Sequence, residues 1–89
     1  MTSAAVTIYT TRFCPFCIRA KRLLDSKHVA YHEIAVDNDP ATRADMQKLA
    51  GSRSVPQIWI NDSHIGGCDE LYQLESQQKL DDLLGRNQE

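Results

Sequence analysis

The sequence predicts an α/β protein: a four-stranded mixed sheet with helices on both faces, in the order β-α-β-α-β-β-α-α. Three observations carry this. An apolar run rich in β-branched residues, Ala4 to Tyr9, precedes a segment of helical periodicity, and the same pairing recurs from Val29 onward. A third such run, Gln57 to Ile60, is then separated by only Asn61-Asp62-Ser63 from a short fourth one. Strands joined through a helix pair in parallel with a right-handed crossover, and strands joined by a tight turn pair antiparallel, so the sheet is mixed.

Each element has its own signals. Thr10 to Phe13 forms a short loop after the first strand. Pro15 suits the first helical position, where its missing N–H would have no partner anyway. From Phe16 the apolar positions Cys17, Ala20, Leu23 and Leu24 recur at helical spacing, with Arg19, Lys21, Arg22 and Asp25 on other faces. This helix is expected to end near Lys27-His28, where a cation suits the negative end of the helix dipole. Val29 to Val36 is the second strand. In Asp37-Asn38-Asp39-Pro40, Asp39 can cap the second helix and Pro40 occupies its first turn. That helix carries Met46 and Leu49 and stops at Gly51. Gln57 to Ile60 is the third strand, and His64-Ile65 is the fourth, closed by Gly66-Gly67. A helix begins at Asp69 with Leu71, Tyr72 and Leu74 on one side, and a last short helix runs from Gln77 to Leu84. Residues 1–89 read as one domain, with 85–89 as a frayed tail.

With 42% hydrophobic and 25% charged residues, the composition is that of an ordinary globular protein. The formal net charge of −2 gives no reason to expect nucleic acid or an anionic membrane as partner. No apolar run approaches the length of a membrane span, and Met1 to Ala5 lacks the features of a signal peptide. The expected location is therefore the cytoplasm, where thiols stay reduced. The charge is uneven: residues 1–60 carry eight Lys/Arg against five Asp/Glu, and residues 61–89 carry two against seven. Most of these charges read as solvated faces. Arg12 and Arg53 stand apart as candidate functional cations.

The chemistry centres on Cys14-Pro15-Phe16-Cys17. A CxxC pair can close a disulfide, hold half of a zinc site or cycle between thiol and disulfide. A closed zinc site needs four ligands. The sequence has no second CxxC, and Cys68, His28, His32 and His64 form no spaced pair, so no metal is expected. In a reducing compartment, after a strand and at a helix start, redox chemistry is the favoured reading. Backbone N–H groups and the helix dipole stabilise a thiolate at such a position, where pKa values fall from about 8.5 to roughly 3.5–7.5. Cys14 is the expected attacking thiol, exposed, and Cys17, one turn further in, the more buried resolving thiol. Val55-Pro56 places a proline at the start of the third strand. A cis bond there would turn the Val55 backbone outward, although a trans proline would start a strand equally well. Gly66-Gly67-Cys68-Asp69 offers either an ordinary turn or an anion site made by the N–H groups of Cys68 and Asp69. Cys68 reads either as a small buried residue or as a third oxidisable thiol. Trp59 and Tyr72 read as packing residues, and the three histidines as surface or strand-end positions.

Cys-Pro-Phe-Cys after the first strand, Ser-Val-Pro before the third and Gly-Gly-Cys-Asp after the fourth together resemble the glutaredoxins. Val-Pro-Gln-Ile-Trp-Ile and Ile-Gly-Gly-Cys-Asp-Glu-Leu-Tyr are similar to the short bacterial dithiol members. The resemblance spans nearly the whole chain. It implies a thioredoxin-like fold with Pro56 cis, and a glutathione-dependent thiol–disulfide oxidoreductase with Cys14 and Cys17 catalytic. It also implies a glutathione groove bounded by Phe16, Val55, Pro56, Cys68 and Asp69. The cysteine of glutathione would pair with the Val55 backbone. Its γ-glutamyl carboxylate would meet the N–H groups of Cys68 and Asp69, with the Asp69 carboxylate near its α-amino group. A cation would meet its glycine carboxylate. Clients would be glutathionylated or disulfide-bonded proteins, ribonucleotide reductase among the candidates, and the protein a monomer. Two positions depart from the family pattern. Phe16 stands where Tyr is common, and Thr11 stands where a lysine is usual, leaving Arg12 or Arg53 to supply the cation; Arg suits bidentate carboxylate binding. Two alternatives fit the same motif. One is an iron–sulfur cluster carrier ligated by Cys14 and glutathione, against which Pro15 counts. The other is a redoxin reduced by thioredoxin reductase, against which Gly-Gly-Cys-Asp counts.

Overall fold

The central strand serves two faces of the sheet, and this decides where everything else packs. In β1 (Val6–Thr10), Val6, Ile8 and Thr10 are buried while Thr7 and Tyr9 are half-buried. The computed structural model describes residues 4–85. After β1 come α1 (Pro15–Ser26), β2 (His32–Ala35), α2 (Pro40–Ala50), β3 (Gln57–Ile60), β4 (Ser63–Gly66), α3 (Cys68–Ser76) and α4 (Leu80–Leu83). This is the expected order. The sheet runs β2-β1-β3-β4, with β1 parallel to β2 and antiparallel to β3, and β3 antiparallel to β4.

Val6, Ile8, Ile58 and Ile60 project from one face of the sheet onto Ala20, Leu23 and Leu24 of α1, Leu71 of α3, and Leu80 and Leu84 at α4. Ile8, Leu24, Ile58, Leu71, Leu80 and Leu84 have no exposed surface. Each such burial stabilises the fold by about 1.5–3 kcal/mol relative to exposure. On the opposite face Tyr9 and Trp59 meet edge to face with ring centroids 5.3 Å apart, and Leu49 of α2 lines the same cavity. Helices therefore cover both faces, and the fold is thioredoxin-like. Among the described residues, no helix is long and apolar enough to cross a membrane.

Element ends follow local chemistry. Asp39 caps α2 by accepting from the Thr42 N–H at 3.1 Å, and Gly51 closes it in the left-handed conformation at φ 76°. Lys27, expected to face the carbonyl end of α1, instead reaches Glu75 at 2.7 Å and Asp81 at 3.0 Å, tying α1 to α3 and to α4. β2 is shorter than expected. His28 is left-handed at φ 57°, and Val29 to Tyr31 carry the chain from α1 to the sheet edge, with Val29 already buried in the core. β4 is longer than expected, because the turn needs only Asn61 and Asp62, both left-handed at φ 52° and 67°. Two such residues match the twist of a two-residue hairpin. α3 starts at Cys68, one residue before its expected start, with Gly67 as N-cap. α4 starts at Leu80 rather than Gln77, since Gln77 closes α3 and Gln78 is left-handed at φ 62°. Of the expected tail, 86–89 lie outside the described residues.

Gly66 shows why a glycine precedes α3. Its φ is +119°, and a Cβ there would sit 2.9 Å from Cγ of Glu70. Gly66→Ala is expected to lower stability by roughly 1–3 kcal/mol, through a backbone conformation that L residues rarely adopt. Thermal unfolding checks this, and a melting temperature equal to wild type would contradict it.

Candidate functional site

Cys14 is the N-cap of α1. Its backbone is extended, at φ −129° and ψ 101°, and Pro15 follows in the first turn. A side chain in this position can reach back to the first free amides of the helix. The Cys14 Sγ does so, accepting from the Cys17 N–H at 3.1 Å. On its other side the sulfur lies 3.8 Å from the carbonyl oxygen of Val55, to which a thiol can donate. The helix therefore delivers a backbone N–H to one particular sulfur.

The two thiols differ as their order in the motif implies, but both are well covered. Cys14 is 8% exposed and Cys17 1%. The expectation of an exposed attacking thiol is not met: Cys14 is buried, with the Cys17 N–H and the Val55 carbonyl against its sulfur. Burial, reinforced by the side-chain hydrogen bond with Cys14, pushes the Cys17 thiol up to about 12. Cys17 is consequently a neutral thiol at physiological pH.

Beside this pair lies an open cleft of about 190 Å³, lined by Phe16, Ser54, Val55, Pro56, Gly67, Cys68, Asp69 and Glu70. It is smaller than the pockets of about 300–1,000 Å³ that engulf a compact small molecule. The Val55-Pro56 peptide bond is cis. Cys68 and Asp69 are the first two residues of α3, so their N–H groups have no partners within the helix and carry the positive end of its dipole. The Gly67 N–H is already taken, donating to Glu70 Oε1 at 2.8 Å.

Five of the six candidate binding residues, Phe16, Val55, Pro56, Cys68 and Asp69, thus line one groove. Arg12 stands outside that lining. Its Nε lies 2.8 Å from Asp37 Oδ2, the same oxygen accepts from its backbone N–H at 3.3 Å, and its guanidinium sits over the Phe13 ring. Arg12 nevertheless leaves 68% of its side chain exposed. The pairing holds the Asp37 carboxyl below the usual carboxylate range. Arg53 also lies outside the lining; its carbonyl accepts two hydrogen bonds from Arg43, at 3.1 and 3.3 Å. Cys68 belongs to the apolar core and is 4% exposed, and burial raises its thiol. Among the described residues, no three His, Cys, Asp or Glu side chains are gathered as metal ligands.

Four residues escaped the sequence reading. Ser54 and Glu70 complete the groove wall, and Asp37 captures Arg12. The fourth, Glu33, accepts from Thr10 Oγ1 at 2.7 Å and Lys21 Nζ at 2.9 Å, contacts that hold its carboxyl low. Only Glu70 left a local signal: it stands three residues after Gly67, where a capping glutamate belongs.

The glutaredoxin family profile matches residues 6–65. A glutaredoxin of Pseudomonas aeruginosa is 57% identical over 79 residues, covering 89% of this chain and 94% of that protein. Glutaredoxin 3 of Escherichia coli is 51% identical over 81 residues, covering 91% and 98%. Among solved structures, the glutaredoxin of Brucella melitensis superposes with a TM-score of 0.85 at 44% identity, covering 100% of this chain and 97% of that one. The buckwheat glutaredoxin–glutathione complex superposes with a TM-score of 0.86 at 29% identity, covering 92% and 77%.

Proposed function

The chain belongs to the glutaredoxin family, and from that premise we propose how its own residues carry out the work of a glutathione-dependent thiol–disulfide oxidoreductase. One observation carries the assignment of roles: the Cys14 sulfur accepts the Cys17 N–H at 3.1 Å beside a groove, while Cys17 itself is buried and neutral. Cys14 is the nucleophile. Its thiolate attacks the glutathione sulfur of a protein–glutathione disulfide. A sulfur–sulfur bond forms between Cys14 and glutathione, the sulfur–sulfur bond joining glutathione to the client protein breaks, and the client leaves as a thiolate that takes a proton from water. The thiolate of a second glutathione attacks the glutathione sulfur on Cys14, giving glutathione disulfide and restoring Cys14. With a protein disulfide as substrate, Cys17 resolves the intermediate by attacking the Cys14 sulfur, and two glutathiones later reopen the internal disulfide.

Glutathione lies extended in the groove. The Val55 carbonyl, 3.8 Å from the Cys14 sulfur, puts a strand-like edge alongside any cysteine joined to Cys14. The free N–H groups of Cys68 and Asp69 receive the γ-glutamyl carboxylate, and the Asp69 carboxylate faces the α-amino group. Phe16 and Pro56 form the apolar walls. Arg12 supplies the cation for the glycine carboxylate when it leaves Asp37, and Arg53 is the alternative. Clients are proteins carrying glutathionylated or paired cysteines, ribonucleotide reductase among the candidates. A monomer working in the reducing cytoplasm fits three free thiols.

The test is turnover of a small glutathione mixed disulfide with reduced glutathione as electron donor, coupled to glutathione reductase. Activity is expected, and its absence would overturn the reading. Asp69→Asn is expected to raise the KM for the mixed disulfide about tenfold with kcat little changed, since a lost charge-assisted hydrogen bond is worth about 1.5–3 kcal/mol. An unchanged KM would remove Asp69 from the site.

A further inference from the structure

Gln57 is the polar residue most deeply buried next to the groove, at 4% exposure, and the catalytic steps above make no use of it. It opens β3 and points to the face opposite the apolar core, alongside Trp59. Its amide is fully employed. Nε2 donates to the carbonyl of Ser54 at 3.0 Å and to Ser54 Oγ at 3.3 Å. Its Oε1 lies 2.8 Å from His64 Nε2. Since only the amide nitrogen can donate to a carbonyl, the oxygen is the end that faces His64, and His64 Nε2 carries the hydrogen. The Ser54 carbonyl thereby fixes which way the amide points, and His64 holds its oxygen end.

The contacts around Ser54 extend the pattern. The Ser54 N–H donates to Ser52 Oγ at 3.1 Å, and the two hydroxyls meet at 2.8 Å. The Arg53 carbonyl is held by Arg43 of α2. The carbonyls of residues 53 and 54 are thus both bound by side chains of the scaffold. The next carbonyl, that of Val55, faces the Cys14 sulfur at 3.8 Å. The chain presents residue 55 to the groove because its predecessors are fastened elsewhere.

We propose that Gln57, braced by His64, is a positioning residue for thiol–disulfide exchange: by holding the Ser54 carbonyl it sets the Val55 backbone edge against which the substrate's cysteine aligns. It touches neither sulfur nor substrate. This rests on the glutathione groove proposed above. Its effect falls on substrate alignment, so KM should move while the intrinsic reactivity of Cys14 does not.

The experiment uses the full chain with Gln57→Leu and Gln57→Glu. Leucine removes all three hydrogen bonds. Glutamate keeps the length and the acceptor for His64, but turns an oxygen toward the Ser54 carbonyl. Turnover of the glutathione mixed disulfide, alkylation of Cys14 by iodoacetamide and thermal unfolding are measured together. The KM is expected to rise about tenfold in both variants, the size expected from losing a donor to a buried carbonyl. The alkylation rate should stay within about twofold of wild type, since the close Cys17 N–H contact at 3.1 Å is untouched and the Val55 carbonyl meets the sulfur only at 3.8 Å. Gln57→Glu is the deciding variant, because it preserves the His64 pairing that a purely structural role would need. A wild-type KM in folded Gln57→Glu overturns the proposal, as does a fall in alkylation rate matching the loss of turnover. An inactive wild type would instead overturn the glutathione reading itself.

Discussion

Replacing Cys14 by serine is expected to abolish reduction of glutathione mixed disulfides, a loss of several orders of magnitude in kcat/KM, because the enzyme's nucleophile is gone. The structure makes this substitution unusually clean. Cys14 is the N-cap of α1, and its sulfur already accepts the Cys17 N–H. Serine is among the preferred N-cap residues, and its hydroxyl can accept from the same region of the helix. The fold should therefore survive, with a melting temperature at or slightly above that of wild type. The same assay as for wild type, run beside thermal unfolding, separates lost chemistry from lost structure. Folded Cys14→Ser protein with normal turnover would remove Cys14 from the nucleophile's role.

Much of this site is legible in the sequence because its key contacts are local. The interval from Cys14 to Cys17 is one helical turn, Pro15 fixes where the turn starts, and a sulfur acting as a cap needs no distant partner. The same holds for Asp39 and Gly51, which mark the ends of α2. The sequence locates the hairpin but suggests a turn one residue longer than the structure has, since Ser63 is also a common turn residue while Asn61 and Asp62 alone supply the two left-handed positions. Legibility fails where a partner lies far along the chain. Asp37 is 25 positions from Arg12, and nothing local shows that the exposed cation is already paired. Lys27 likewise looks like a dipole cation until α3 and α4 bring Glu75 and Asp81 to it. Gln57 and His64 read as a strand residue and a surface histidine because their partnership depends on the register of the β3–β4 pair. The sequence reads Cys68 both ways, and its place in the apolar core at the edge of the groove belongs to tertiary packing.

The second large effect divides the two chemical routes. Cys17→Ser is expected to keep much of the activity on small glutathione mixed disulfides, which needs only Cys14 and free glutathione, and to lose formation of the internal disulfide completely. In wild type the Cys17 step should carry its own pH signature. The Cys17 thiol is pushed up to about 12, first by burial and next by its hydrogen bond with Cys14. Once Cys14 is joined to a substrate, its sulfur bears no negative charge and that second influence lapses, but burial remains. The thiolate is the attacking species, so below the Cys17 pKa its population grows tenfold for each pH unit. Internal disulfide formation should accordingly keep rising through pH 9. Attack by external glutathione levels off earlier, near the ordinary thiol value of about 8.5. The high pKa also makes the small thiolate population more nucleophilic, so the step is slow at neutral pH without being shut off. Acid quenching followed by mass spectrometry of the internal disulfide measures the rate at each pH. A plateau near neutral pH would mean that Cys17 ionises far more readily than its burial allows. Full activity of Cys17→Ser on intramolecular protein disulfides would mean that glutathione, not Cys17, resolves them.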